Sequence, residues 1–190
     1  MKKTEQRRFP FNGKIYKCSY YRWSGFLVPL MLISVFACQL FAEPPVVALD
    51  GNPATPEIAP VPGSLIPGEK ILVAVSARNI EHMHSYSVTC LFNPEVVTFT
   101  GASASLSPLT PAFLESANGK IAAFLAVPGK GSVEIAATQT GKDSTAAVSG
   151  NGILGYLSFK AVAAGNPGIT ISEARIVDPE ANSTGAVINH

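Results

Sequence analysis

From residue 71 onward the chain is a run of short apolar–polar alternations broken by glycine, proline and asparagine. Ile71, Val73 and Val75 alternate with Leu72, Ala74 and Ser76. Tyr86, Val88, Cys90 and Phe92 alternate with Ser85, Ser87, Thr89 and Leu91. A period of two puts each set on one face of a strand. Asn93-Pro94-Glu95 then turns the chain, because proline fixes φ and lacks a ladder donor. The pattern predicts further strands over residues 96–100, 120–127, 133–138, 153–163 and 169–177, with a short one at 112–114. Turns are marked by Asn118-Gly119, Pro128-Gly129-Lys130-Gly131 and Gly165-Asn166-Pro167-Gly168. Residues 102–111 and 141–150 read as loops. No stretch carries a helical period, so the expected class is an all-β sandwich or barrel.

The order of these signals resembles a known family. A Pro67-Gly68-Glu69 opening precedes the alternating strand at 86–92, which runs into Asn93-Pro94-Glu95-Val96-Val97. Residues 152–161 end in Phe159-Lys160-Ala161, and Gly168-Ile169-Thr170-Ile171-Ser172 follows. Together they resemble cohesin modules over about residues 56–184. The resemblance implies a nine-stranded jelly-roll β-sandwich, related in fold to carbohydrate-binding modules. It also implies a scaffolding role. Cohesins hold a dockerin, a small calcium-bound helical module on a partner protein, against one flat sheet face. Such docking links them to polysaccharide-degrading assemblies.

Charge changes the picture at the N-terminus. Seven basic residues and Glu5 alone precede residue 25, whereas the chain after residue 42 holds seven basic and twelve acidic residues, a net −5. The acidic part offers no basic patch for phosphates, which excludes nucleic acid as the expected partner. Residues 25–42 form an apolar run behind the basic segment, the order of a secretory signal. Cleavage is expected after Ala42. Two alternatives stand: a lipobox-like Val35-Phe36-Ala37-Cys38, lipidated at Cys38, and a retained N-terminal anchor. Each sends the rest of the chain to the periplasm, cell surface or medium, and the N-terminal segment is the only expected membrane contact. The organisation is thus residues 1–42 as signal peptide or anchor, 43–55 as linker and 56–190 as the domain. Prolines at 44, 45, 53, 56, 60 and 62 extend the linker character to residue 64. Val46-Val47-Ala48-Leu49 or Glu57-Ile58-Ala59 inside it are candidate edge strands; in the family the first strand stands at the second of these.

Candidate chemistry is sparse. Cysteines occupy positions 18, 38 and 90, so cleavage after Ala42 leaves Cys90 alone, a buried apolar residue by its place in the alternation. No nucleotide-binding glycine motif and no catalytic Ser/His/Asp set is present, and an enzyme is not expected. His82 and His84 would share a strand face, yet no third ligand accompanies them. Asp178-Pro179-Glu180-Ala181-Asn182 has the oxygens of a calcium loop without its glycine, and reads as a plain turn. Asn182-Ser183-Thr184 is a glycosylation sequon by pattern. No cofactor or metal is expected.

The expected partner-binding face consists of Ser85, Ser87, Thr89 and Leu91 on the central strand, with Leu154, Tyr156, Ser158 and Lys160 on the Phe-Lys strand. Dockerin-binding cohesins carry an acidic or amide residue on the central strand, where this chain has serine and threonine. The expected partner is an extracellular protein, with a dockerin-bearing one the reading that the resemblance implies. A polysaccharide is the rival ligand, and a cell-surface module without a dedicated ligand the third reading. Flat polysaccharides are gripped by exposed aromatic rings. The one tryptophan, Trp23, precedes the domain.

Overall fold

The structure is a computed structural model that describes residues 4–11, 14–21, 43–55, 57–107, 112–117, 119–141 and 146–189. The chain divides into two units, Met1–Ala42 and Glu43–His190. In the first, β1 (Thr4–Phe11) pairs antiparallel with β2 (Lys14–Tyr21), from Phe11 opposite Lys14 to Thr4 opposite Tyr21. The alternation pattern assigns no strands there. Aromatic and β-branched residues crowd both segments, and Asn12-Gly13 stands between them in sequence, a hairpin dipeptide. The apolar run at 25–42, with Cys38 and Ala42, lies outside the described residues. Among those described, no helix is long and apolar enough to cross a membrane.

The second unit is an all-β sandwich of two five-stranded sheets. One has the order β12-β3-β4-β9-β6 and the other β11-β10-β5-β8-β7. The first holds β3 (Val46–Asp50), β4 (Lys70–Met83), β6 (Val97–Ser103), β9 (Val148–Ala161) and β12 (Val187–Asn189). The second holds β5 (Ser85–Leu91), β7 (Ile121–Gly129), β8 (Ser132–Gln139), β10 (Thr170–Val177) and β11 (Ser183–Gly185). Ten strands stand where nine were expected. Seven of the predicted strands reappear with shifted boundaries, β3 stands where Val46-Val47-Ala48-Leu49 is a candidate edge strand, and β11 and β12 are added.

The core lies between the sheets, where the alternation placed it. Val73, Val75, Val88, Cys90, Val133, Ile135, Leu157 and Phe159 are all buried. Burial pushes the Cys90 thiol up to about 12, so it stays protonated and unreactive at neutral pH.

Three expectations give way. The linker expected over 43–55 contains β3, which pairs with β4 on one side and, in parallel, with β12 on the other. Val47 is fully buried there, so the domain begins before Pro56, a residue outside those described. Glu57-Ile58-Ala59 is not a strand. It belongs to a loop closed by Gly51 N–H to Ala59 O (2.8 Å) and tied down by Asp50, whose Oδ1 accepts from Asn52 N (2.9 Å) and Ala59 N (3.1 Å). Residues 112–114 do not form a strand either; Phe113–Glu115 is a 3₁₀ turn that buries Leu114. Gln139 clasps this turn, its side-chain amide donating to Leu114 O and to Ala146 O.

A bulge in β9 decides which way its side chains point. Gly155 pairs with Val75 and Ile153 with Ser76, so Leu154 is the extra residue between them. Both Leu154 and Gly155 are consequently buried. A Cβ at Gly155 would lie 3.2 Å from Ile135 Cδ1 and 3.3 Å from Phe124, so only glycine lets the facing sheet close there without adjustment. The Leu154 carbonyl is reached across the core by the Tyr86 hydroxyl of β5, which burial holds in its neutral form. Tyr86→Phe should destabilise the domain by about 1–3 kcal/mol, because it strands a buried carbonyl. Urea unfolding checks this; a loss under about 0.5 kcal/mol would show that the bond contributes nothing net.

Candidate docking face

Each sheet turns one face inward and one outward. Outward residues of β5 are Ser85, Ser87, Thr89 and Leu91. Antiparallel register sets them opposite Thr138, Ala136, Glu134 and Ser132 of β8. Those in turn face Ala123, Leu125, Val127 and Gly129 of β7. On the other side, β10 brings Val177, Arg175, Glu173 and Thr170 beside the same β5 residues, after a bulge at Ser172 restores the alternation. One row across the sheet therefore reads Leu125, Ala136, Ser87, Arg175, and the next Val127, Glu134, Thr89, Glu173.

The face carries uncharged side chains along its middle strand β5 and charge on either side, at Glu134, Glu173 and Arg175. Its cation is neutralised locally, since Arg175 Nε lies 2.6 Å from Glu173 Oε1. The pair is solvent-exposed and contributes little to stability. Glu134 is the remaining carboxylate in the two central rows. Around it stand Leu91 (43% exposed), Leu125 (59%) and Val127 (60%). These are three of the seven large apolar side chains exposed among the described residues, gathered on one sheet face.

The other four expected face residues are elsewhere. Tyr156, Ser158 and Lys160 lie on β9, in the opposite sheet. They point outward there, across from Ala74, Leu72 and Lys70 of β4. The two sets of outward side chains are thus on opposite sides of the sandwich, with its core between them. Leu154 belongs to neither face; it is 2% exposed, turned inward by the β9 bulge. Leu154 and Tyr156 therefore do not form an apolar centre together. Tyr156 is half-buried, its hydroxyl pKa raised by burial and by the Asp50 charge. Lys70 directly opposite Lys160 makes that end of the back face cationic.

Sequence reasoning missed Leu125, Val127, Glu134 and Ala136. In β7 both alternating sets are apolar, Ile121, Ala123, Leu125 and Val127 against Ala122, Phe124 and Ala126. Period two then identifies two faces without saying which is inside.

Neither histidine lies on a shared strand face. His82 has a left-handed φ of 51° at the irregular end of β4, and His84 stands at the corner between β4 and β5. No group of three metal-ligating side chains occurs among the described residues. In the turn after β10, both Asp178 carboxylate oxygens accept from Asn182, at 2.8 Å from its N–H and 2.9 Å from its side-chain amide. These bonds hold the Asp178 carboxyl below its usual range and close a plain turn.

A comparison with family models finds no match, and no curated protein sequence matches the chain. Solved structures do match, and they are cohesins. The sixth cohesin of scaffoldin B from Acetivibrio cellulolyticus, solved in complex with a dockerin, aligns with a TM-score of 0.55 at 15% identity, over 77% of this chain and 95% of that one. A cohesin of a type I cohesin–dockerin complex from Clostridium thermocellum gives 0.56 at 12% identity, over 77% and 94%. A non-cellulosomal cohesin from the archaeon Archaeoglobus fulgidus gives 0.50 at 15% identity, over 77% and 86%.

Proposed function

With the domain cohesin-like in fold, we propose that the chain is an exported, non-catalytic binding module. It docks a partner protein outside the cytoplasm through the outward face of β10, β5, β8 and β7. The observation that carries this is the distribution of exposed apolar side chains. Leu91, Leu125 and Val127 gather around Glu134 on one flat sheet face, beside the serines and threonine of β5. A group of exposed apolar side chains bordered by polar ones marks an interaction surface. The back face fits less well, with Lys70 beside Lys160 and Asp50 engaged in holding its loop.

A dockerin-type partner is the specific reading, supported by the two neighbours described in complex with dockerins. Export rests on the basic segment followed by the apolar run at 25–42. A flat-polysaccharide platform has less support, because the outward rows of this face carry no aromatic ring. The test is a binding panel on residues 43–190: calcium-loaded dockerins in one arm, insoluble cellulose and xylan in the other. Saturable binding to at least one dockerin, with no retention on glycan, is expected. Retention on glycan that soluble sugar competes away, with no dockerin bound, would overturn the proposal in favour of a carbohydrate module.

A further inference from the structure

Beyond the docking face, the structure exposes an edge. Strand β7 closes one side of its sheet, paired to β8 alone. Among the described residues, no backbone group of 122–129 makes a backbone hydrogen bond outside that ladder. Exposed edges are normally blunted by charge, proline or irregularity. This one runs Ile-Ala-Ala-Phe-Leu-Ala-Val-Pro-Gly, with no charged residue, its proline near one end and its one irregularity, at Ala122, near the other, which leaves 123–127 regular and open.

We propose that β7 pairs with β7 of a second copy of this chain, antiparallel about a two-fold axis at Ala126, joining two sheets into one. The phase of the ladder sets the register. Gly129 and Ser132 flank a two-residue loop at Lys130-Gly131, where Gly131 supplies the positive φ of 77°. The residues flanking such a loop bond each other, so Gly129, Val127 and Leu125 spend their backbone groups on β8. The backbone groups of Phe124 and Ala126 point to the open edge. So does the Pro128 carbonyl, while the ring nitrogen, with no proton to give, removes nothing from the β8 ladder.

About an axis at Ala126, the Ala126 N–H and C=O meet their own counterparts, and Phe124 N–H donates to Pro128 C=O of the second copy. Leu125 then stands opposite Val127 of the second copy, and Val127 opposite its Leu125. On the outward side this gathers side chains that are more than half exposed in the single chain into one apolar cluster. The neighbouring register, with Leu125 opposite itself, would set Lys120 against Lys130 at both ends, which like-charge repulsion disfavours. The net charge of −5 does not oppose the pairing at close range. Glu134 sits one strand in, so the two β8 strands carrying it are about 14 Å apart, beyond the screening length of about 8 Å at physiological salt.

The experiment uses residues 43–190, the compact unit that holds the described core. Sedimentation equilibrium should show a concentration-dependent dimer, abolished in Val127→Lys, whose melting temperature should match that of the unmodified chain at dilutions where both are monomeric. Positions facing each other across such a pair are about 4.5 Å apart at Cα, within disulfide reach. Oxidation of the double variant Leu125→Cys/Val127→Cys should therefore yield a covalent dimer, and neither single variant should, because each cysteine would face its unlike partner. Buried Cys90 is common to all three proteins and adds no background. A chain that stays monomeric at every concentration and does not cross-link as the double variant overturns the proposal. Cross-linking of Leu125→Cys alone overturns it equally, since that requires the Leu125-centred register.

Discussion

Truncating Phe159 to alanine should cost about 3–5 kcal/mol, the largest loss expected from a single apolar side chain in this domain. The ring is 1% exposed on β9, between Ile71 of β4 and Phe99 of β6. Phe92, entering from the corner after β5, meets it edge-on with centroids 5.3 Å apart and planes at 63°. Phe99 does the same at 5.8 Å and 69°. Edge-to-face contacts of this kind each add about 0.5–1.5 kcal/mol beyond the area they bury. The alanine variant forfeits both contacts and leaves a cavity that neighbours on strands of two sheets cannot readily collapse to fill. Two-state urea unfolding of residues 43–190 should show the loss as a lowered midpoint at nearly constant m-value. A change below about 1 kcal/mol would mean that β9 sits in another register. Phe92, only partly buried, should lose less than the equal cost that its place in the alternation suggests.

Phe159 also shows what was legible in the sequence. Residues 157, 159 and 161 share a parity, as do 86, 88 and 90, and all six are buried. Parity is a local property, and it succeeds wherever a strand is regular. It fails at Leu154, because one inserted residue in β9 exchanges the faces; Gly155 beside it is the one residue type there that marks such a bulge. Parity is also silent on topology. Ser87 and Tyr156 both face outward, but which sheet each strand joins depends on pairings between residues tens of positions apart. The three-residue strands β11 and β12 are too short to show alternation, and β3, legible as a candidate edge strand in Val46-Val47-Ala48-Leu49, lies among prolines whose composition reads as linker. Half of the expected face, residues 85, 87, 89 and 91, nevertheless remains one surface. The residues that complete it, Leu125 and Val127, were hidden by a strand apolar on both sides.

Whether this face, and not the back of the sandwich, meets the partner is tested most directly by the same substitution on each side. Thr89 and Ser158 are both half-buried, outward-facing residues on interior strands of their sheets, β5 and β9 respectively. Arginine at either position is long enough to reach solvent and should leave the fold intact. At Thr89 it would raise a bulky cationic side chain from the flat centre of the proposed interface, between Glu134 and Glu173, holding the partner off sterically and reversing the local charge. Titration calorimetry against the same calcium-loaded dockerin should show Thr89→Arg weakened by about 100-fold or more, with Ser158→Arg within about a factor of two of the unmodified chain. The reverse pattern, Ser158→Arg abolishing binding while Thr89→Arg binds normally, would contradict the account and place the interface on the β9 sheet.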